Sequence, residues 1–342
     1  MHLLALLRPP SIDAQAVGSV LARGLRATTQ ASEGALLVAP VMGEAFVLGA
    51  FQRAASTLDL TRPEVVGAAL ARRATGGVAL HVRRGQIFVA LELASASVLG
   101  GNGDPARAIN RHVRPLLSAL SASGVPATYG GRDFVVAGGA PVAWVGVTHD
   151  RALGSVSLEM LVAVEAPFGI DPALDLAHGS IAPRWLGKTP GTLTTHAHRN
   201  VESAAVVDAI FTAWSAVARG ETSEAGAPPF EEVPVARDQR PFDALVEEGM
   251  GLIGAARDPG ALSIGGELMA SRGALEALGE RLHGLADDAM DLTLEETIDA
   301  ALGPSSGTML FGVKSLASIA KVVRATKTLE RPAVTRERSR RE

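Results

Sequence analysis

The chain contains no cysteine. A disulfide framework and any mechanism that uses a thiolate nucleophile are therefore excluded. The sequence also lacks the run of roughly eighteen apolar residues that a membrane-spanning helix needs. Its first residues lack the basic start and the cleavage site of a signal peptide. A formal net charge of -4 at pH 7 gives no reason to expect nucleic acid as the main partner. We therefore expect a cytoplasmic protein that does not enter the membrane.

The residues that are present are typical of a globular protein, with 47% hydrophobic and 20% charged residues in a chain of 342. This length favours one large and one small domain. Residues 219–242 are rich in Pro, Gly, Ser and Glu, which predicts a linker. The predicted division is a large domain over 1–218, a small domain over 243–303, and a final helix with a basic tail over 304–342.

Hydrophobic periodicity predicts a mixture of strands and helices in both domains. In the large domain several β-like runs surround one amphipathic helix, Pro105–Ser123, which ends at Gly124. In the small domain Phe242–Ala256 is predicted to be helical. A strand over Ala261–Met269 and a helix over Arg272–Gly284 follow it. The pattern predicts an α+β protein with a small α+β unit at its C-terminal side.

The segment most informative about function is a loop rich in arginine and glycine at residues 72–81. Its paired glycines, Gly76 and Gly77, allow the backbone to approach a ligand closely. Its arginines, Arg72 and Arg73, carry forked donors suited to a phosphate or a carboxylate. The same pattern, taken alone, is also that of a turn beside a pair of surface arginines.

This loop resembles the R-R-x-[ST]-G-G-G-x-V-x-H pattern of the lipoate-protein ligase family. Val78 stands where a third glycine is usual. Two further segments resemble that family in the same order: residues 131–138, which include Asp133, and residues 261–268, which are similar to the accessory domain of the ATP-using ligases. The residues that match the loop pattern are Arg72, Arg73, Thr75, Gly76, Gly77 and His81.

The resemblance implies the class II synthetase-like fold of lipoate and biotin ligases, with a mixed, largely antiparallel sheet packed with helices. It also implies a two-step reaction that uses ATP and Mg²⁺. Lipoate or octanoate would become an acyl-adenylate, and a lysine of a lipoyl-carrier domain would then displace AMP. In that scheme Arg72, Gly76 and Gly77 would contact the adenylate phosphate or the acyl group. His81 would lie at the base of the loop, and Asp133 would line the nucleotide pocket.

The sequence departs from the family at the centre of this chemistry. The family carries a lysine in a G-[KR]-K-[IV]-x-G pattern, but residues 139–144 read Gly-Ala-Pro-Val-Ala-Trp. No lysine is present there, and Trp144 replaces the second glycine. Losing one such charge-assisted contact costs about 3 kcal/mol of transition-state stabilisation. Lys188 and Arg151 are the candidates to replace it. The alternative is a catalytically inactive family member, a pseudoenzyme that binds a partner as a scaffold.

The histidines do not predict a metal site. His149, His178, His196 and His198 lie apart from any carboxylate or cysteine at the spacing that zinc sites use. His112 falls on the polar side of its predicted helix, so we expect it to be solvated.

Overall fold

In the computed structural model of the protein, the described residues are 3–21, 25, 33–98, 107–131, 133–176, 185, 187–197, 199–223, 235, 237, 239–248, 251–285 and 290–328. The strands are β1 (Leu3–Leu7), β2 (Ile12–Asp13), β3 (Gly34–Met42), β4 (Glu44–Leu48), β5 (Ala69–Arg72), β6 (Leu80–Arg83), β7 (Gln86–Leu93), β8 (Thr128–Tyr129), β9 (Phe134–Ala137), β10 (Ala140–Asp150), β11 (Ser155–Ala163), β12 (Arg219–Ser223), β13 (Ala244–Glu248), β14 (Gly251–Asp258), β15 (Ala261–Gly266), β16 (Met269–Ala270) and β17 (Leu310–Phe311).

The helices are α1 (Ala54–Thr57), α2 (Pro63–Val66), α3 (Ala108–Ala122), α4 (Leu193–Ala197), α5 (Ser203–Ser215), α6 (Ala274–His283), α7 (Met290–Leu302) and α8 (Leu316–Thr328). Within the described ranges, no helix is long and apolar enough to cross a membrane.

The large domain is built on a nine-stranded mixed sheet. Its main path runs β12-β1-β3-β7-β11-β10-β9-β8, and β2 pairs with β3 off this path. The strands β12, β1 and β3 run parallel, whereas every pairing from β3 to β8 is antiparallel. The prediction of a mixed, largely antiparallel sheet is confirmed.

Both faces of the central strands are covered. The helices α3 and α5 pack together and contact β3, β7 and β10. A second, three-stranded sheet of order β5-β4-β6 contacts β3 as well. Successive residues of β7 and β11 are buried, as expected for strands that have no solvent-facing side. The second sheet matters most for function because β4 and β5 lead into the arginine- and glycine-rich loop.

The small domain is a three-stranded antiparallel sheet, β13-β14-β15, covered by α6, α7 and α8. These elements share one apolar core, which is separate from the core of the large domain. The helix α8 lies inside this core through Ile319, Val322 and Val323. The final predicted helix is therefore part of the same packing unit as the small domain.

Two local predictions differ from the structure. Phe242–Ala256 contains the strands β13 and β14, so the prediction of a helix is wrong. Gly254 explains the difference, because a Cβ at this position would lie 2.4 Å from the ring of Phe242. The Phe242 ring can pack this closely on the strand only because Gly254 has no side chain. Residues 219–223, at the start of the predicted linker, form β12 at the edge of the main sheet.

His112 is buried, so the prediction that it is solvated is wrong. It is 2% exposed between α3 and α5, where its ring stacks on Trp214 at 6.0 Å between centroids. Burial lowers the pKa of His112 to about 4. The folded protein therefore holds this imidazole neutral at pH values where the unfolded chain protonates it.

We expect this histidine to make the fold sensitive to acid. Between pH 6.5 and 4 the unfolded chain binds a proton that the folded chain refuses, so stability falls by about 3 kcal/mol as the pH drops through this window. The His112→Gln variant should lose this part of the dependence. The free energy of unfolding in urea, measured from pH 7 to 4, tests it. The exposed His283 provides the control, because His283→Gln should keep the full wild-type slope.

Candidate functional site

The arginine- and glycine-rich loop crosses the end of β4. Gly49 directly follows this strand, and a Cβ on it would lie 2.3 Å from the carbonyl oxygen of Gly77. The amide of Ala50 donates to the carbonyl of Thr75 at 2.9 Å. Gly77 has a φ of +91°, a left-handed conformation that favours glycine. The two segments lie backbone against backbone, so the glycines serve the close packing of the protein on itself.

Arg73 lies underneath this bend and is fully enclosed. It is 2% exposed. Its Nη1 donates to the carbonyl of Val47 at 3.1 Å, and its Nη2 donates to those of Gly76 and Val78 at 2.8 and 2.6 Å. Burial lowers the pKa of this guanidinium to about 10, against the opposing effect of nearby acids. It is therefore still protonated at neutral pH, and its forked end is occupied by the loop itself.

Glu159 provides one of the opposing charges. It lies on β11, is completely buried, and accepts bonds from the amide of Thr75 at 3.1 Å and from the Thr75 hydroxyl. Burial raises the pKa of this carboxyl, while Arg73 and the Thr75 donors act to lower it. Its Oε1 and the Nε of Arg73 have no hydrogen-bond partner in the described part of the chain. The amide and the hydroxyl of Thr75 are therefore both hydrogen-bonded to Glu159.

Trp144 occupies the space beside Arg73. The guanidinium carbon of Arg73 lies 4.0 Å from the centroid of the indole, a cation–π contact. The indole Nε1 donates to Oδ2 of Asp133 at 3.3 Å. A Cβ on Gly146 would lie 2.3 Å from this ring and 2.5 Å from the hydroxyl of Thr75. The tryptophan is 1% exposed and fills the space between the loop and the sheet.

The small domain closes the other side of the bend. The amide of Gly77 donates to the carbonyl of Leu268 at 2.9 Å. A Cβ on Gly76 would lie 2.0 Å from that oxygen and 2.8 Å from the Cα of Met269. The side chain of Met269 also belongs to the core of the large domain. The outer surface of the bend is therefore covered by backbone from the small domain.

Arg72 differs from its neighbour because it reaches a cavity. Its Nη1 donates to the carbonyls of Gly49 and Ala50 at 3.0 and 3.2 Å, and to that of Gln52. It lines a cavity of about 790 Å³ between the end of β4 and the small domain. Burial and the nearby Arg53 lower the pKa of Arg72. Gly76 and Gly77 are not among the residues that line this cavity.

The structure brings together five of the seven predicted site residues, and Arg72 and His81 lie outside this group. Arg73, Thr75, Gly76, Gly77 and Asp133 meet around Trp144, and Arg72 lies next to them in sequence but faces the cavity. His81 lies on β6, stacks on Phe46 and pairs with Glu44 at the start of β4. The bend is at the opposite end of β4, so His81 supports the small sheet. Burial lowers its pKa.

Neither candidate for the missing cation reaches the bend. Arg151 is exposed in the turn between β10 and β11 and donates to Thr308 of the small domain at 3.3 Å. Lys188 lies in the turn that follows Trp185. Within the described residues, neither side chain bonds to the bend. Of the four histidines weighed for zinc, His178 and His198 lie outside the described residues.

Two groups at the bend, Glu159 and the carbonyl of Leu268, are not among the predicted site residues. Glu159 is the only acid in the mostly apolar run of residues 157–164, which is an available signal because buried carboxylates are rare without a partner. The contact with Leu268 had no signal in the sequence. It depends on how two domains pack, and neither residue type at the contact is unusual.

We expect the Gly76→Ala substitution to push the small domain away from the loop. The added Cβ meets backbone atoms on both sides, so the free energy of unfolding should fall by about 1–3 kcal/mol. Gly67→Ala is the matched control, because the nearest atom to its Cβ lies 4.0 Å away and its φ is −88°. Urea unfolding of both variants tests this. Equal midpoints would mean that the bend is open.

Solved structures with similar folds are lipoate-related proteins. The bipartite lipoate-protein ligase of Thermoplasma acidophilum matches with a TM-score of 0.52 and 17% identity, over 66% of this chain and 87% of that one. P. falciparum LipL1 in complex with lipoate matches with a TM-score of 0.58 and 11% identity, over 77% and 85%. Protein Ta0514 of T. acidophilum with bound lipoic acid matches with a TM-score of 0.51 and 17% identity, over 66% and 89%.

No family model matches the chain, and no curated protein matches it in sequence. At these identities the likeness concerns the arrangement of strands and helices. The fold expected from the sequence is confirmed: the chain has the fold of the lipoate-protein ligases.

Proposed function

We propose that this chain uses the lipoate-ligase fold as a binding scaffold and does not form an acyl-adenylate. One observation carries the proposal. The bend that would hold the adenylate phosphate is packed on all sides by the protein itself, with Arg73 and Trp144 on the inner side and the backbone of Leu268 on the outer side. A ligand-binding loop needs donors that face an open space, and residues 75–80 at this bend are all buried.

ATP and its magnesium ion do not fit this bend. The Gly77 amide, which would donate to a phosphate oxygen, already donates to Leu268 at 2.9 Å. The space beside Gly76 is occupied by the same carbonyl oxygen. The terminal nitrogens of Arg73 donate to three backbone carbonyls. A phosphate would have to displace all of these contacts, and we derive no reaction step through it.

Within the described residues, no lysine stands in the segment where the ligase pattern would polarise the acyl carbonyl. Pro141 lies in the segment where the ligase pattern has its lysine, and this proline removes a backbone donor as well. Arg151 is engaged with Thr308 on the small domain. Trp144, in place of the pattern's glycine, is buried against Arg73. These features together support a protein that binds without activating its ligand.

The competing proposal is ATP-dependent activation of a lipoyl- or octanoyl-type acid and its transfer to a lysine of a carrier domain. The fold favours it, and the T. acidophilum ligase was solved as part of a system with its E2 lipoyl domain. In this chain it would require that Leu268 leave the bend and that the Trp144 ring swing out. The first contact lies between two domains with separate cores and is therefore the more separable of the two.

Pyrophosphate exchange separates the two proposals. The purified chain is incubated with ATP, Mg²⁺, radiolabelled pyrophosphate and either lipoate or octanoate. We expect no label in ATP above the blank without acid, because the bend cannot hold the adenylate. The T. acidophilum ligase serves as the positive control in the same buffer. Exchange that depends on either acid would contradict the scaffold proposal.

A variant tests whether the missing lysine alone prevents the reaction. Pro141→Lys adds an ammonium group to the segment that lacks it, but it leaves Trp144 and Leu268 in place. We expect this variant to remain without exchange, while its circular dichroism stays that of the wild type. If adding the lysine alone produces exchange, the packing of the bend is not the obstacle.

A further inference from the structure

One wall of the cavity between the two domains contains Arg72, which has no acidic partner among the described residues. Arg72 is half-buried, and only its Nη1 is bonded, to three backbone carbonyls. Within the described residues no carboxylate pairs with it. Its neighbour Arg53, in contrast, is paired with Asp258. The three carbonyls replace part of the hydration that this half-buried guanidinium loses, but within the described residues no carboxylate neutralises its charge. Its free nitrogens can therefore bind an anionic group from outside.

The other wall carries the opposite charge. Glu276 and Glu280 are one turn apart on α6, are exposed, and line the same cavity as Arg72. Neither has an ion-pair partner in the described part of the chain. A ligand that carries only negative charge would be attracted by one wall and repelled by the other. A ligand with a carboxylate at one end and an amine at the other end would be attracted by both.

The remaining lining combines apolar side chains with the polar Gln52, Gln239 and Ser263 and with the ion-paired Arg53. Phe51, Phe242, Leu262 and Ile264 contribute to the wall between the two charged regions. A cavity of about 790 Å³ whose walls carry both apolar and polar groups has the size of sites that hold small molecules. A second cavity of about 350 Å³ shares Ala50, Phe51 and Glu276 with it. The volume suits a ligand larger than a single amino acid.

We infer that this inter-domain cavity binds a short apolar peptide through its two charged ends. The peptide carboxylate lies against Arg72, its amine lies towards Glu276 and Glu280, and its apolar side chains contact Phe51 and Phe242. This inference names the ligand class for the binding role proposed above and rests on it. It places the ligand beside the packed bend, in the space that the protein leaves open.

The test is a binding selection with three matched peptide libraries. Full-length protein is mixed with dipeptides made of leucine, isoleucine, valine and phenylalanine, and bound species are identified by mass spectrometry. The second library is N-acetylated and the third is C-amidated, so that each lacks one charge. We expect retention of the free dipeptides and at least about tenfold weaker binding of both blocked forms. Retention of the N-acetylated library at full affinity, or of no library, would overturn the inference.

Variants locate the site. Arg72→Gln should weaken binding of the best free dipeptide by at least about tenfold, but it also removes bonds to three carbonyls and can destabilise the loop. The double variant Glu276→Gln with Glu280→Gln changes only exposed side chains and should weaken binding of the free dipeptide but not of its acetylated form. Glu296→Gln, exposed on α7, is the matched control. Unchanged affinity in the folded double variant would contradict the assigned orientation.

The result of the dipeptide-binding test can be distinguished from the result of the pyrophosphate-exchange assay. Dipeptide binding without pyrophosphate exchange supports both proposals. Exchange together with dipeptide binding would remove the scaffold proposal and leave the cavity assignment. If the chain shows no pyrophosphate exchange and binds no dipeptide, only the cavity assignment is contradicted.

Discussion

The enclosed guanidinium of Arg73 is the interaction on which the arrangement of the site depends. It holds three backbone carbonyls from two segments, lies on the face of Trp144, and stands between the carboxylates of Glu159 and Asp133. A buried charge is tolerated only when such partners surround it. Removing one partner of a buried ion pair commonly costs about 3–5 kcal/mol. The arginine and glycine pattern suggests an anion-binding loop, but in this protein Arg73 neutralises buried carboxylates and packs in the interior of the large domain.

The main features of the fold were predictable because they depend on local periodicity. The amphipathic pattern predicts α3 within a few residues, and the apolar runs Phe134–Ala137, Val142–Val147 and Ser157–Val164 predict β9, β10 and β11 equally closely. The order of the loop, of residues 131–138 and of the small domain gave the relation to lipoate ligases. The prediction was wrong in the region of β13 and β14, because its glycines and apolar residues fit either a helix or a strand. The close packing of the Phe242 ring on Gly254 favours the strand in this region.

The site was less predictable, since a motif states which residues meet but not what fills the space between them. Five of the matching residues do converge. Trp144 was recognised from the sequence as a change towards bulk, and its burial is consistent with that reading. The closure by Leu268 arises from domain packing, and the buried state of His112 arises from the pairing of α3 with α5. Neither contact can be predicted from a short segment of the sequence, because each depends on elements that are distant in the chain.

The parallel edge of the main sheet has a consequence for handling the protein. The strand β1 lies between β12 and β3, and β3 is apolar and buried along most of its length. A chain that loses β1, through trimming or proteolysis, exposes a long hydrophobic strand with unpaired backbone groups. Such edges pair readily with those of other molecules and lead to aggregation. The first described strand therefore protects this apolar strand from pairing with other molecules.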